Sequence, residues 1–186
     1  MVQTVAKNEF VGVEDYLAAE ETSEVRHEYL GGLVYAMAGE TIAHNQIVGN
    51  LYLALRNHLK GKSCRVFVSD IRVNFDIRHD EYFYYPDIVV TCDKRDNHPR
   101  LIRHPKVIIE VLSESTERID RREKFFAYTN IPSLDEYVLV DQNPREATVF
   151  RRGNRWKAER FSGARAKIVL ASLKFSLSRE ALYEGV

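Results

Sequence analysis

Net charge is what this chain lacks: 27 Lys and Arg offset 27 Asp and Glu. Such a balance argues against a strong non-specific nucleic-acid binder, which needs a standing positive surface. Cysteine is almost missing too. Cys64 and Cys92 stand alone with no CxxC spacing, so the expectation is two reduced core thiols, not a disulfide or a metal pair. No apolar run approaches the roughly 18 residues that span a bilayer. The opening "MVQTVAKNEF" lacks the apolar stretch of a signal peptide, so a cytoplasmic protein is expected. The six histidines form no HxxxH or HExxH spacing, which removes the usual zinc-hydrolase patterns. Ser113 and Ser115 have no strand-turn-helix glycine motif around them. Repeats, low-complexity tracts and Pro/Gly/Ser linkers are also absent, and residues 1–186 read as one domain.

What remains is an ordinary globular composition, 45% hydrophobic and 29% charged, with a clear order of elements. "VGVEDYLAAEE" (11–21) fits a short helix, and "RHEYLGGLVYAMAG" (26–39) a hairpin turning at Gly31-Gly32. In residues 40–61, Ile47, Leu51, Leu55 and Leu59 recur at spacing four, the mark of a helix, and Gly61 offers a stop. Extended segments follow at 64–76, 82–92 and 106–113. The last of these, "KVIIEVLS", is so continuously apolar that a central strand covered on both faces is expected. Residues 115–131 read as a helix that Ser115 or Thr116 could cap, with Glu117 and Asp120 near its positive end. Strands at 136–141, 146–152 and 155–162 and a helix at 178–185 complete the chain. Helices interleaved with strands predict an α/β, mixed α+β fold: a central mixed sheet flanked by helices 40–60 and 115–131, with extra antiparallel strands.

Two of these strands carry residues that do not suit them. "YYPDIVV" (84–90) sets Pro86, which cannot donate to a ladder, beside a charged Asp87. In 106–113, alternation puts Ile108, Glu110 and Leu112 on one face and Val107, Ile109 and Val111 on the other. Glu110 is thus a carboxylate among hydrocarbon, a costly placement unless it is paired. Two neighbouring strands with one misplaced acid each could aim both at a single hard cation, Mg²⁺ or Mn²⁺. The same acids could instead pair with buried Arg or Lys, or cap loop amides.

The arrangement resembles the PD-(D/E)xK nuclease superfamily, with Asp87 at the first acid and Glu110 at the second. Leu112 stands where that motif has its lysine. The likeness is closer to the bacterial Uma-two branch of restriction-endonuclease-like domains. It rests on "SDIRV" (69–73), "YPDIVV" (85–90), "EVLSEST" (110–116), "DRREK" (120–124), Tyr128 and "EYVLVD" (136–141) in that order. The resemblance implies a Mg²⁺- or Mn²⁺-dependent endonuclease acting on DNA. Asp87, Glu110 and the carbonyl of Val111 would be the metal ligands, and a lysine moved to the following helix, Lys124, would be the catalytic cation. Glu28 resembles the N-terminal acid that often completes such a site. From spacing alone, Asp120, Lys124 and Tyr128 form one helical stripe, and Asp120–Lys124 could equally be a plain surface pair.

Other features stay open. Asp70 could join the acids or pair with Arg72 or a turn. His44 and His58 on the long helix read as surface or packing residues. Lys94, Arg95, His98, Arg100, Arg103, His104 and Lys106 crowd the loop between the two acidic strands. That loop could meet a phosphate backbone near the acids, or simply be solvated. Residues 1–93 hold 8 basic against 14 acidic side chains, and residues 94–186 hold 19 against 13. This asymmetry, with the superfamily habit of cutting two strands, suggests a homodimer. A nuclease-like protein that binds nucleic acid or a protein partner without cleaving is the alternative.

Overall fold

The computed structural model describes residues 10–37, 39–113 and 119–186. Helix α1 (Val13–Thr22) leads into the hairpin β1 (His27–Leu30) and β2 (Leu33–Ala36). Gly31 and Gly32, both at positive φ, make the turn where most side chains would be strained. Helix α2 (Ile42–Leu59) is capped by Thr41, whose hydroxyl accepts from the His44 amide, and Gly61 (φ +77°) turns the chain away just beyond its end. Strands β3 (Arg65–Val68), β4 (Arg72–Ile77), β5 (Asp80–Tyr84), β6 (Ile88–Thr91), β7 (Leu101–Ile102) and β8 (Pro105–Leu112) follow. A turn of π-helix at Asp120–Lys124 runs straight into α3 (Phe125–Thr129), and β9 (Glu136–Asp141), β10 (Ala147–Arg151) and β11 (Ala158–Phe161) come next. The chain closes with β12 (Lys167–Leu170), β13 (Phe175–Ser178) and α4 (Arg179–Leu182). The capping residues expected at 115–117 lie outside the described residues.

Two larger sheets share the strands. One runs β2-β1-β5-β4-β7, the other β11-β10-β9-β8-β6-β3, and β12-β13 form a separate hairpin. The six-stranded sheet is mixed, since β8 and β9 run parallel while its other pairs are antiparallel. The two segments expected as single long strands are each broken in two. At Ser69 (φ +52°) the chain leaves β3 in one sheet for β4 in the other. At Tyr85-Pro86-Asp87 it returns, from β5 to β6. The crossings lie side by side, the Ser69 amide donating to the Asp87 carbonyl at 3.0 Å. Pro86 therefore interrupts no ladder, because it sits between two sheets.

The six-stranded sheet is covered on both faces. Val107, Ile109 and Val111 pack with Ile47, Leu51, Leu55 and Leu59 of α2. Ile108 and Leu112 pack on the other side with Tyr128, Ile131, Leu134 and Tyr137, together with Val73 and Tyr84 of the second sheet. Each such fully buried side chain is worth about 1.5–3 kcal/mol of transfer free energy. One expectation is corrected, and one of two open readings is set aside. Cys64 and Cys92 form a disulfide and are not free thiols, because β3 and β6 are paired with Arg65 opposite Thr91, which sets the flanking cysteines across from each other. The basic loop lies at the wrong end of its strands to serve the acids. It joins the end of β6 to the start of β8, whereas Asp87 precedes β6 and Glu110 is near the end of β8, with three residue pairs, from Ile88–Ile109 to Val90–Val107, in between. Asp96 pins that loop instead, accepting from the Arg103 and His104 amides and from Thr91.

Candidate functional site

Asp87 and Glu110 meet at the rim of the six-stranded sheet, where β6 begins and β8 nears its end. They brace each other through the main chain: the Asp87 amide donates to Glu110 Oε2 at 3.1 Å, and the Val111 amide donates to Asp87 Oδ2 at 2.7 Å. Glu110 is 3% exposed. Its face of β8 looks toward α3, so the helix that covers the apolar strand also supplies its partners. Lys124 Nζ stands 3.3 Å from Glu110 Oε1, and the Tyr128 hydroxyl donates to the same oxygen at 3.1 Å. Lys124 also pairs with Glu28 Oε1 at 2.9 Å and with Asp120 Oδ1 at 3.4 Å. The stripe Asp120, Lys124, Tyr128 thus points inward. Leu112, at the strand position of the superfamily lysine, packs in the apolar cluster of that same face.

Glu28 arrives from β1 through the turn at 85–87, accepting from the Tyr85 amide at 3.4 Å. Behind it, Glu20 of α1 accepts from the Tyr85 hydroxyl at 2.9 Å and the His27 amide at 3.0 Å. Asp70 is not part of the cluster; it is exposed and pairs with Arg26 at 3.3 Å.

Charge is crowded here. Burial pushes the Glu110 carboxyl well above its ordinary value against the pull of Lys124, and Asp120, Asp87 and Glu28 push it further. Burial likewise raises Glu28 despite its contact with Lys124. Burial alone would lower the Lys124 ammonium, but Glu110, Glu28 and Asp120 outweigh it and hold the lysine well above its usual value. Glu28, Glu110 and Asp120 therefore surround the Lys124 ammonium, while Asp87 meets His44.

Two nearby residues were not expected at the site, His44 having read as a surface or packing residue. His44 of α2 is 5% exposed, and its Nε2 lies 3.1 Å from Asp87 Oδ2. Burial would lower its pKa, yet Asp87, Glu40 and the Val111 main chain raise it. The available signal was the apolar stripe of α2, which His44 continues at three residues before Ile47. Glu40 is the other: it hydrogen-bonds Ser113 and its carboxyl is raised by burial and by Asp87 and Asp120, against His44. Nothing in its local sequence marks it.

Asp87, Glu110 and the Val111 carbonyl form an all-oxygen donor set, which suits a hard divalent ion such as Mg²⁺ or Mn²⁺. The excess of carboxylates over cations fits such an ion as well. Glu28 is engaged by Lys124, and among the described residues no three His, Cys, Asp or Glu side chains stand arranged to hold a metal.

Comparison with known proteins shows the family and the fold. The Uma2 family model, described as "Putative restriction endonuclease", matches residues 13–180. Two relatives from Synechocystis sp. are "Uncharacterized protein slr1290", 34% identical with 93% of this chain and 91% of that protein covered, and "Uncharacterized protein sll1609", 30% identical with 93% and 99% covered. The crystal structure of "a putative nuclease belonging to DUF820" from Anabaena variabilis superposes with a TM-score of 0.77 at 18% identity, covering 93% of this chain and 97% of that one. That likeness establishes a nuclease-like fold. With its model spanning nearly the whole sequence, the chain belongs to the Uma2 family, "Putative restriction endonuclease".

Proposed function

We propose that this protein is a divalent-metal-dependent endonuclease that hydrolyses phosphodiester bonds of DNA. The observation that carries the reading is the convergence of Asp87, Glu110 and Lys124 from three separate segments onto one buried point. Asp87 and Glu110 would hold Mg²⁺ or Mn²⁺ with the Val111 carbonyl. Bound there, the ion would lower the pKa of a water and neutralise charge on the phosphate oxygens. Lys124 would steady the attacking hydroxide and the charge that builds on the phosphate. Glu28 and Asp120 fix that ammonium in place, and Tyr128 fixes the carboxylate it serves. A homodimer would bring two such sites to the two strands of a duplex; light scattering showing only monomer at high concentration would count against it. The cytoplasm is the proposed place of action, and among the described residues no helix is long and apolar enough to cross a membrane.

The deciding assay is plasmid cleavage with Mg²⁺ and Mn²⁺. Wild type should nick or linearise the substrate and Asp87→Ala should not; equal cleavage by both, or none by either, refutes the proposal. One observation favours a second reading, a nuclease-fold protein that binds nucleic acid or protein without cutting. Both Glu110 oxygens already have protein partners. An inert scaffold would show no tight Mn²⁺ site in a titration.

A further inference from the structure

Asp87 is gripped from two sides. The Val111 amide reaches Oδ2 from within the sheet, and His44 Nε2 reaches the same oxygen from α2, on the face opposite Lys124. A carboxylate oxygen only accepts, so the proton of this contact is on Nε2. The His44 side chain is 6% exposed, while that of Asp87 is 20% exposed. Among the described residues Oδ1 of Asp87 accepts no hydrogen bond. One carboxylate oxygen is thus anchored twice, and the other, in a side chain that keeps 20% of its surface exposed, is not among the buried unpaired atoms of the described residues. The imidazole also meets the Val111 main chain, and Thr41 fixes the start of α2 by accepting from the His44 amide.

We infer that His44 is a positioning residue: it fixes Asp87 through Oδ2 so that Oδ1 is presented to the divalent ion. This rests on the metal-dependent reading above. The alternatives assign His44 a different atom-level role. As a metal ligand or a proton carrier it would need a free ring nitrogen, whereas Nε2 is committed to Asp87 and the ring also meets the Val111 main chain. Its place on the apolar stripe of α2 then has a use, since a rigid helix aims it better than a loop would.

Glutamine separates these roles, because its amide NH₂ can occupy the place of Nε2–H yet cannot carry a proton at neutral pH. Calorimetric Mn²⁺ titrations and plasmid cleavage would be run on wild type, His44→Ala and His44→Gln, with thermal melts confirming that each is folded. Loss of a partner that orients a metal ligand typically costs roughly 10- to 100-fold in affinity or activity. His44→Ala should lose Mn²⁺ affinity and cleavage by that factor, and His44→Gln should recover most of both. If folded His44→Ala binds Mn²⁺ as tightly as wild type, the positioning role is wrong while the metal centre stands. If His44→Gln falls as far as the alanine variant, His44 acts by ligation or proton transfer and the inference is overturned. If wild type binds no Mn²⁺, the metal-dependent function fails, and this inference fails with it.

Discussion

Replacing Lys124 by Met keeps most of the side-chain volume and removes one charge from among three buried acids. Its ammonium lies 2.9, 3.3 and 3.4 Å from Glu28, Glu110 and Asp120. Coulomb's law at an effective dielectric of about 20 would give roughly 5 kcal/mol for each contact. That sum cannot be the measured loss, because the acids can escape by taking up protons. A carboxyl with an ordinary value of 4.5 is neutralised at pH 7 for about 3.4 kcal/mol, at about 1.36 kcal/mol per pH unit. At pH 5 the same escape costs about 0.7 kcal/mol, and at pH 8 about 4.8 kcal/mol. Glu28 and Glu110 are already shifted upward, so part of this cost is borne by the wild type. The expected destabilisation is therefore about 3–5 kcal/mol at pH 7, as for other broken buried pairs, and below about 1.5 kcal/mol at pH 5. The sign follows from proton counts. Without Lys124 the folded acids bind protons more tightly than the unfolded ones, so the variant loses stability as pH rises above 4.5. Urea unfolding at pH 5, 7 and 8, followed by far-ultraviolet circular dichroism, measures the difference from wild type. A difference that is the same at pH 5 and pH 8, or a loss under about 1 kcal/mol at pH 7, would refute the buried-cluster reasoning.

Glu28→Gln should be mild at pH 7, because its Oε1 can still accept from Lys124 and the Tyr85 amide. Glu110→Gln should cost about 1–3 kcal/mol more, since an amide nitrogen in place of Oε2 opposes the Asp87 amide and leaves a buried donor unpaired; equal urea midpoints for the two variants would contradict this. Burial pushes Tyr16 up to about 12 and raises Tyr84, Tyr85, Tyr128, Tyr137 and Tyr183 as well. An absorbance titration of the native protein at pH 11 should accordingly leave these six of the ten tyrosines protonated, and urea should release them; complete ionisation without urea would be the contrary result. The Cys64–Cys92 bridge spans a sequence separation of 28, for which loop entropy predicts about 3–4 kcal/mol of stabilisation. Replacing both cysteines by serine should lower the unfolding free energy accordingly, and two titratable thiols in unreduced, unfolded protein would show that the bridge is absent.

Much of this site could be read in one dimension because burying a charge is expensive. A run as apolar as "VIIEVL" must be covered, so an acid inside it announces a partner, and the alternation of a strand says on which face. The stripe Asp120, Lys124, Tyr128 likewise follows from helical spacing, although spacing cannot say whether it faces water or the core. Only the packing of α3 over β8 turned it inward. His44 shows the limit more clearly. Its place on the stripe with Ile47, Leu51 and Leu55 implies burial, but its partner is 43 residues away and is set by how α2 crosses the sheet. The proline in "YYPDIVV" signalled an interruption, yet the passage between two sheets depends on hydrogen bonds with other strands. The β12-β13 hairpin was missed because "KIVLASLKFSLS" carries no Gly, Pro or Asn at its turn, and Lys174 takes the positive φ instead. The disulfide required β3 and β6 to lie side by side. Local chemistry thus determined which residues could not stand alone, and the tertiary structure decided which partner each one met, because pairing across dozens of residues depends on strand order and helix placement that no short stretch encodes.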